Sequence, residues 1–281
     1  MSSKLAVFDI DGTIAVKSVI PPSVIKGIRH LHDRGFLTTV STGRSYRRLR
    51  DALADDFAII VSPDALISVE HGTKIVRSDG SVEQADYFSS AEKEHFVDFV
   101  RANADMVTFC MYALSDPTKP LELWVKPGED VEAVRKSRGS YARIFQSSWE
   151  EFKKHIHDHE ITHTLAKLQD FVTVENLRVC FTRSNMNVHF MDSYMQFVGS
   201  FTDKAKAVLY LEKFHDVKVA DMLIAGNGIN DVDMLNLPAA RRVLVGSDIL
   251  AKSVFGHLNS QETVIRTESP ETLGDYLQTI E

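Results

Sequence analysis

Asp9 and Asp11 stand two residues apart in Asp9-Ile-Asp11-Gly12-Thr13, directly after the apolar run 5–8. Carboxylates gathered at the end of a buried strand repel each other unless a cation joins them. A hard cation with oxygen ligands, magnesium by default, meets that need. With the repulsion offset, Asp9 can attack phosphorus. Asp11, when protonated, can give its proton to the leaving oxygen and later take one from water. Taken alone, so short a piece reads equally well as a solvated Asp-Gly turn.

Three more stretches lie in the same kind of place. Ser41-Thr42-Gly43-Arg44 ends a second expected strand, residues 36–40. Thr42 can donate its hydroxyl to a phosphate oxygen, and the following helix adds N–H groups at its positive end; the plainer reading is a helix cap. The arginines after Thr42, Arg44 first, can attract an anionic substrate. Lys204 opens a helix in Phe-Thr-Asp-Lys-Ala-Lys-Ala-Val, where it can reach phosphoryl oxygens, although a helical lysine is ordinarily just solvated. Gly226-Asn227-Gly228-Ile229-Asn230-Asp231 follows a later run and offers a tight turn, with amide or carboxylate groups for a metal. Four such pieces in order on four strand ends point together to phosphoryl chemistry, because ligands gather at the carboxyl ends of parallel strands.

The elements that must position them are legible as patterns. Residues 5–8 form a short continuous apolar run, as in a strand buried on both faces. Pro21-Pro22-Ser23 opens a helix with Val24, Ile28 and Leu31 on one face, closed by Gly35. Residues 36–40 read as a second strand, a helix with Leu49 and Leu53 follows, and 58–61 read as a third strand. That alternation predicts a parallel sheet with right-handed crossovers.

Beyond about residue 80 the pattern changes. Residues 106–114 and 121–125 read as antiparallel strands. Helical stretches carry Trp149 and Phe152, then Leu165 and Leu168, before a strand pair at 177–182 and 187–191. The first pattern resumes near 203 with a helix over 204–214, a strand over 222–225, a helix after Asn230, a strand over 242–245 and a closing helix from Pro270. The prediction is a doubly wound parallel α/β core, residues 1–82 and 200–281, with an inserted α+β domain over 83–199.

The 281 residues include 44% hydrophobic and 25% charged residues, and the net charge is -7. Such a chain can bury a core and shows no basic footprint for nucleic acid. An acidic protein that handles an anion must concentrate positive charge locally. Cys110 and Cys180 form no CxxC pair, and no apolar stretch approaches membrane-spanning length. The amino-terminal apolar run is too short for a signal peptide, so the expectation is a cytoplasmic protein with neither nucleic-acid nor membrane partners.

DxDGT at 9–13, Thr-Gly-Arg at 42–44, Lys204-Ala-Lys-Ala-Val-Leu-Tyr-Leu211 and the GDGxND-like stretch at 226–231 resemble the haloacid dehalogenase superfamily of phosphatases. The place of the insertion, between the second and third motifs, is similar to its Cof-like, type IIB members with a large cap. The resemblance implies a Rossmann-like core whose cap closes over the strand ends, excludes water and selects the leaving group. It implies a Mg2+-dependent phosphomonoester hydrolase acting on a small phosphorylated metabolite, a sugar phosphate first, through a phosphoaspartate, in a monomer or homodimer. On this reading Asp9 is the nucleophile, and Asp11 the acid/base that also lends its main-chain carbonyl to magnesium. Thr42 and Lys204 hold the phosphate, and Gly43 and Arg44, beside Thr42, bind substrate or phosphate. Asn230 contacts substrate or phosphate, and Asn227 and Asp231 serve the metal.

Three positions depart from the family pattern. Ala205 replaces a glycine, which a helix accepts, and His71 stands in a Glu-Asn-Gly-like Glu70-His71-Gly72. Asn227 replaces the aspartate that usually ligates magnesium, and it can do so only through an uncharged carbonyl. Two alternatives therefore stay open: a phosphosugar mutase or phosphotransferase of the same fold, and a phosphometabolite-binding protein with weak or no turnover. His155, His159 and His163, if helical, would share a face at four-residue spacing, but a solvated polar face is the preferred reading over a metal site. Trp124, Trp149, Phe145 and Phe152 are expected in the core of the inserted domain.

Overall fold

The computed structural model describes residues 4–138, 142–169, 186–191, 194–199 and 203–281. In chain order the strands are β1 (Lys4–Phe8), β2 (Phe36–Val40), β3 (Ile67–Val69), β4 (Lys74–Val76), β5 (Val82–Ala85), β6 (Val107–Leu114) and β7 (Leu121–Val125). They continue with β8 (Ala142–Gln146), β9 (Ile161–Leu168), β10 (Met186–Met191), β11 (Tyr194–Gly199), β12 (Leu223–Gly226), β13 (Arg241–Val245) and β14 (Val264–Thr267). The chain divides into two compact units, Met1–Gln84 with Asp203–Glu281, and Ala85–Thr202.

The first unit is built on a parallel sheet in the order β14-β13-β12-β1-β2. Alternation along β1 shows why it sits in the middle. Ala6 and Phe8 pack on one face with Val24, Ile28 and Leu31 of the helix Pro22–Asp33 and Leu273 and Leu277 of the helix Pro270–Leu277. Leu5 and Val7 pack on the other with Val208 and Leu211 of the helix Lys204–His215 and Val254 of the helix Ile249–Gly256. A strand covered on both faces has no need of polar alternation, which is why β1 reads as an unbroken apolar run. From β1 the chain turns one way to β2, and it re-enters on the other side as β12. The crevice at that reversal is where parallel sheets bind ligands.

One expectation for this unit is corrected. Residues 58–61 do not form a strand: Phe57–Ile60 is one turn of helix, with Phe57 and Ile60 buried at i, i+3. A four-residue apolar run cannot by itself separate these two outcomes. The helix expected after Asn230 is Val232–Leu235, entered through a 3-10 turn at Ile229–Asp231. A small separate sheet, β3-β4-β5, flanks the core strands. It touches β2 through a parallel bridge between Ser41 and Ser68.

The second unit carries a six-stranded mixed sheet, β10-β11-β9-β6-β7-β8. Helices Ser90–Ala102 and Trp149–Asp158, each opened by a serine–glutamate capping box, cover one face. Trp124 and Phe152 are buried there, with Phe145 and Trp149 partly so. Val134 of the helix Val131–Arg138 packs on the other face with Phe109, Met111 and Leu123. Leu165 and Leu168, expected on a helix, lie on β9, where β-branched Ile161, Thr162 and Thr164 favour the extended chain. His163 lies on the same strand, so the three histidines do not share a helical face: the helix ends at Asp158, and His159 is already extended. The strand expected at 187–191 is β10, paired with β11; its expected partner at 177–182, and Cys180, lie outside the described residues.

Candidate active site

Register sets the stage for the site. Phe8 aligns with Val40 of β2 and Ala225 of β12, so Asp9, Ser41 and Gly226 leave the sheet at one level. Asp9 N–H donates to the Ala225 carbonyl (2.9 Å), and Ser41 N–H to the Phe8 carbonyl (2.9 Å).

Lys204 ties the site together. At the first turn of its helix, capped by Asp203, its ammonium donates to Asp9 Oδ1 (2.6 Å) and Asp231 Oδ1 (2.5 Å). Lys204 is 1% exposed, Asp231 0% and Asp9 6%. Two carboxylates and one ammonium leave this buried cluster one negative charge in excess. Burial, and after it the charge of Asp231, raises the Asp9 carboxyl to about 6, against the opposing pull of Lys204. Burial alone would lower Lys204, but Asp231 and Asp9 outweigh it and hold the ammonium well above its usual range.

Asp231 is fully committed. Its Oδ2 accepts from the main-chain N–H groups of Asn227 (2.9 Å) and Gly228 (2.8 Å), and its Oδ1 takes Lys204. It therefore shapes the strand-end turn and orients Lys204. Asn227 lies on the other side, where its Oδ1 and Asp9 Oδ2 share the hydroxyl proton of Thr13, each at 3.2 Å. The amide rests on Gly12, whose φ is +84°; a Cβ there would lie 2.1 Å from Asn227 Nδ2. Glycine is required at position 12 on both counts.

An all-oxygen donor set beside uncompensated negative charge suits a hard divalent cation such as magnesium. The groups that could hold it are Asp9 Oδ2, Asn227 Oδ1 and the main-chain carbonyl of Asp11. Among the described residues no cluster of three His, Cys, Asp or Glu side chains is arranged for a metal, as expected where an amide and a main-chain oxygen supply two of the donors. His155 and His159 stack ring on ring at 4.1 Å.

Thr42 is 1% exposed. Its hydroxyl oxygen accepts from Arg44 N–H (3.2 Å), its main-chain N–H donates to Ser68 (3.0 Å), and its carbonyl accepts from His71 N–H (2.9 Å). The hydroxyl proton is left for an acceptor outside this loop. Gly43 packs against the His71 imidazole. Asp11, with a 57% exposed side chain, meets Arg44 rather than the Lys204 cluster, at 2.5 and 2.7 Å. Asn230 sits in the 3-10 turn with its Oδ1 over Gly228. Sequence reasoning gave no role to Thr13, although it is the hydroxyl that joins β1 to β12, and it missed Ser18, which accepts from Arg44 Nη2 at 2.9 Å. Lys17 and Ser18 form a two-residue hairpin turn at φ 50° and 65° without the glycine or asparagine that announces one.

A family model for haloacid dehalogenase-like hydrolases matches residues 6–245. A Haemophilus influenzae protein, provisionally named a phosphatase, is 23% identical over 279 residues, covering 97% of this chain and 95% of its own. Among solved structures, the phosphatase BT1666 of Bacteroides thetaiotaomicron is similar with a TM-score of 0.73 at 18% identity, covering 98% of this chain and 94% of that one. The subclass IIB sugar phosphatase BT4131 is similar with a TM-score of 0.74 at 18% identity, covering 98% of both chains.

Proposed function

The chain belongs to the haloacid dehalogenase-like hydrolase family, and on that premise we propose that it hydrolyses a phosphomonoester of a small metabolite, a sugar phosphate first, by way of a phosphorylated Asp9. The observation that carries this is the buried Asp9–Lys204–Asp231 cluster at the end of the central strand. Asp9 Oδ attacks phosphorus as the bond to the leaving oxygen breaks. Lys204 stays charged throughout and offsets the charge on the phosphoryl oxygens, while the Thr42 hydroxyl donates to one of them. Asp11 gives its proton to the leaving oxygen, then takes one from the water that attacks phosphorus and releases Asp9. Magnesium, when bound between Asp9, Asn227 and the Asp11 carbonyl, would supply charge to draw the anionic phosphate onto an anionic nucleophile. The second unit is proposed as the substrate-selecting cap. A cytoplasmic setting agrees with the free, buried thiol of Cys110 and with the absence, among the described residues, of a helix long and apolar enough to cross a membrane.

The test is release of inorganic phosphate from a panel of phosphorylated sugars with magnesium, for wild type and Asp9→Asn. Release that survives Asp9→Asn sinks the proposal. Isomerised sugar phosphate in place of free phosphate would mark a mutase. The uncharged Asn227 favours one second reading, a phosphometabolite-binding protein. That reading wins if wild type turns nothing over and Asn227→Asp does.

A further inference from the structure

Arg44 leaves the second strand-end loop and spans both ends of one excursion of the chain. Its Nε donates to Asp11 Oδ2 (2.7 Å) and its Nη2 to Asp11 Oδ1 (2.5 Å), at the base of the segment after β1; Nη2 also donates to Ser18 Oγ (2.9 Å), at its tip. The segment between is folded back on itself, with Gly12 N–H on the Ala15 carbonyl and a reciprocal pair between Val16 and Val19, both at 2.9 Å. Exposed ion pairs usually contribute little, but this one has the two-pronged geometry that makes an exception, and Arg44 is only 15% exposed. Ser18 is informative for what it gives up. At φ 65° a glycine or asparagine would be more comfortable; the serine brings a hydroxyl that lands on Arg44.

We infer that Ser18 and Arg44 form a clamp that orients the Asp11 carboxylate, so that Arg44 is a positioning residue acting through Asp11 and not a holder of phosphate. With both oxygens engaged from one side, the carboxylate cannot turn freely about its Cβ–Cγ bond. The oxygen that must face the leaving group is thereby kept in one direction. This rests on the proposed role of Asp11, and it changes the substrate contact that the sequence implied for Arg44. Misplacing a reacting group by an ångström can cost about a hundredfold, and the effect should fall on proton delivery alone.

Two measurements test it. In the unliganded protein, the Arg44 Nε–H should exchange with solvent about tenfold more slowly than in Asp11→Asn, with an intermediate rate in Ser18→Ala; no difference overturns the clamp. In turnover with magnesium, phenyl phosphate, whose leaving group needs a proton, should lose about 10- to 100-fold in kcat on Arg44→Gln. It should lose about three- to tenfold on Ser18→Ala, with Ser18→Thr restoring it and KM within about twofold throughout. p-Nitrophenyl phosphate, whose leaving group departs unaided, should lose several times less. Neither substitution should add to the loss already caused by Asp11→Asn. Equal losses on both esters, a raised KM at constant kcat, or additivity with Asp11→Asn overturns the clamp. If wild type hydrolyses neither ester, the proposed activity fails, and the exchange measurement alone decides the clamp.

Discussion

The two units bury polar groups in opposite ways. In the first, charged atoms sink to the end of a parallel strand and every one finds a partner: Lys204 meets Asp9 and Asp231, and Asp231 meets two main-chain N–H groups. In the second, Tyr112 and Thr164 face each other across β6 and β9 at 0% exposure, yet among the described residues neither hydroxyl has a hydrogen-bond partner, nor has Nε2 of His155, whose ring lies 5.7 Å from that of Tyr112. One region is specified by charge and the other by shape. Deleting one of these charged groups should therefore be ruinous in the first, and deleting one of these hydroxyls harmless in the second.

Lys204→Met is the hardest blow to that contrast. It leaves two buried carboxylates unopposed, so turnover should vanish and stability fall by about 3–5 kcal/mol, read by phosphate release and by denaturant unfolding. Phe152→Ala should cost a similar 3–5 kcal/mol in the second unit, because Phe152 stacks on Trp124 at 4.2 Å and is fully buried; a loss below about 1 kcal/mol would mean that shape does not govern there. The third prediction uses acidity. Asp9 goes from an ordinary 3.8 to about 6, so between those values the folded chain holds a proton that the unfolded chain has lost. Without metal, stability should therefore fall as pH rises through this window, by on the order of 2 kcal/mol. Asp9→Asn should flatten that slope, as judged by paired denaturant titrations at either end. An ionised nucleophile also requires kcat/KM with magnesium to decline toward acid as Asp9 takes up a proton. The mildest change is Tyr112→Phe, which removes a hydroxyl that nothing satisfies. Its stability should match wild type or exceed it by up to about 1 kcal/mol, and a loss of that size would reveal an ordered water at the hydroxyl.

The same contrast explains what could be read from the chain. The parallel core was legible because β1 is apolar on both faces and β2 is short and β-branched, and both end in residues that no buried strand would otherwise carry. Asp9 and Thr42 stood out for that reason, and Lys204 and Asp231 only through their order after them. What linked them was not: Thr13 is one of many threonines until the register of β1 with β12 brings Asn227 to it, and that register is a long-range property. Asp231 was read only as serving the metal, with no sign that its oxygens take Lys204 and two main-chain N–H groups. Which oxygens are already taken by main-chain N–H groups depends on turn geometry that spacing does not encode. β14 and the helix Ile249–Gly256 went unseen, since Val264–Thr267 is short and partly polar at the sheet edge. In the second unit the i, i+4 spacing of the histidines said nothing of where the helix stops, nor that His163 would be buried on β9.

Glu70, His71 and Gly72 take three successive left-handed conformations, at φ 55°, 59° and 93°, and this short bracket holds two otherwise separate parts. His71 and Glu70 fasten the loop of Thr42 and Arg44 by main-chain hydrogen bonds of 2.9 and 3.0 Å. Gly72 lies so close to the carbonyl of Asp203, the cap of the Lys204 helix, that a Cβ would come within 2.6 Å. Both proposed grips on the phosphate are thus referenced to one rigid mount. Thermal drift of that mount carries hydroxyl and ammonium together, so their spacing is preserved even while their common position fluctuates.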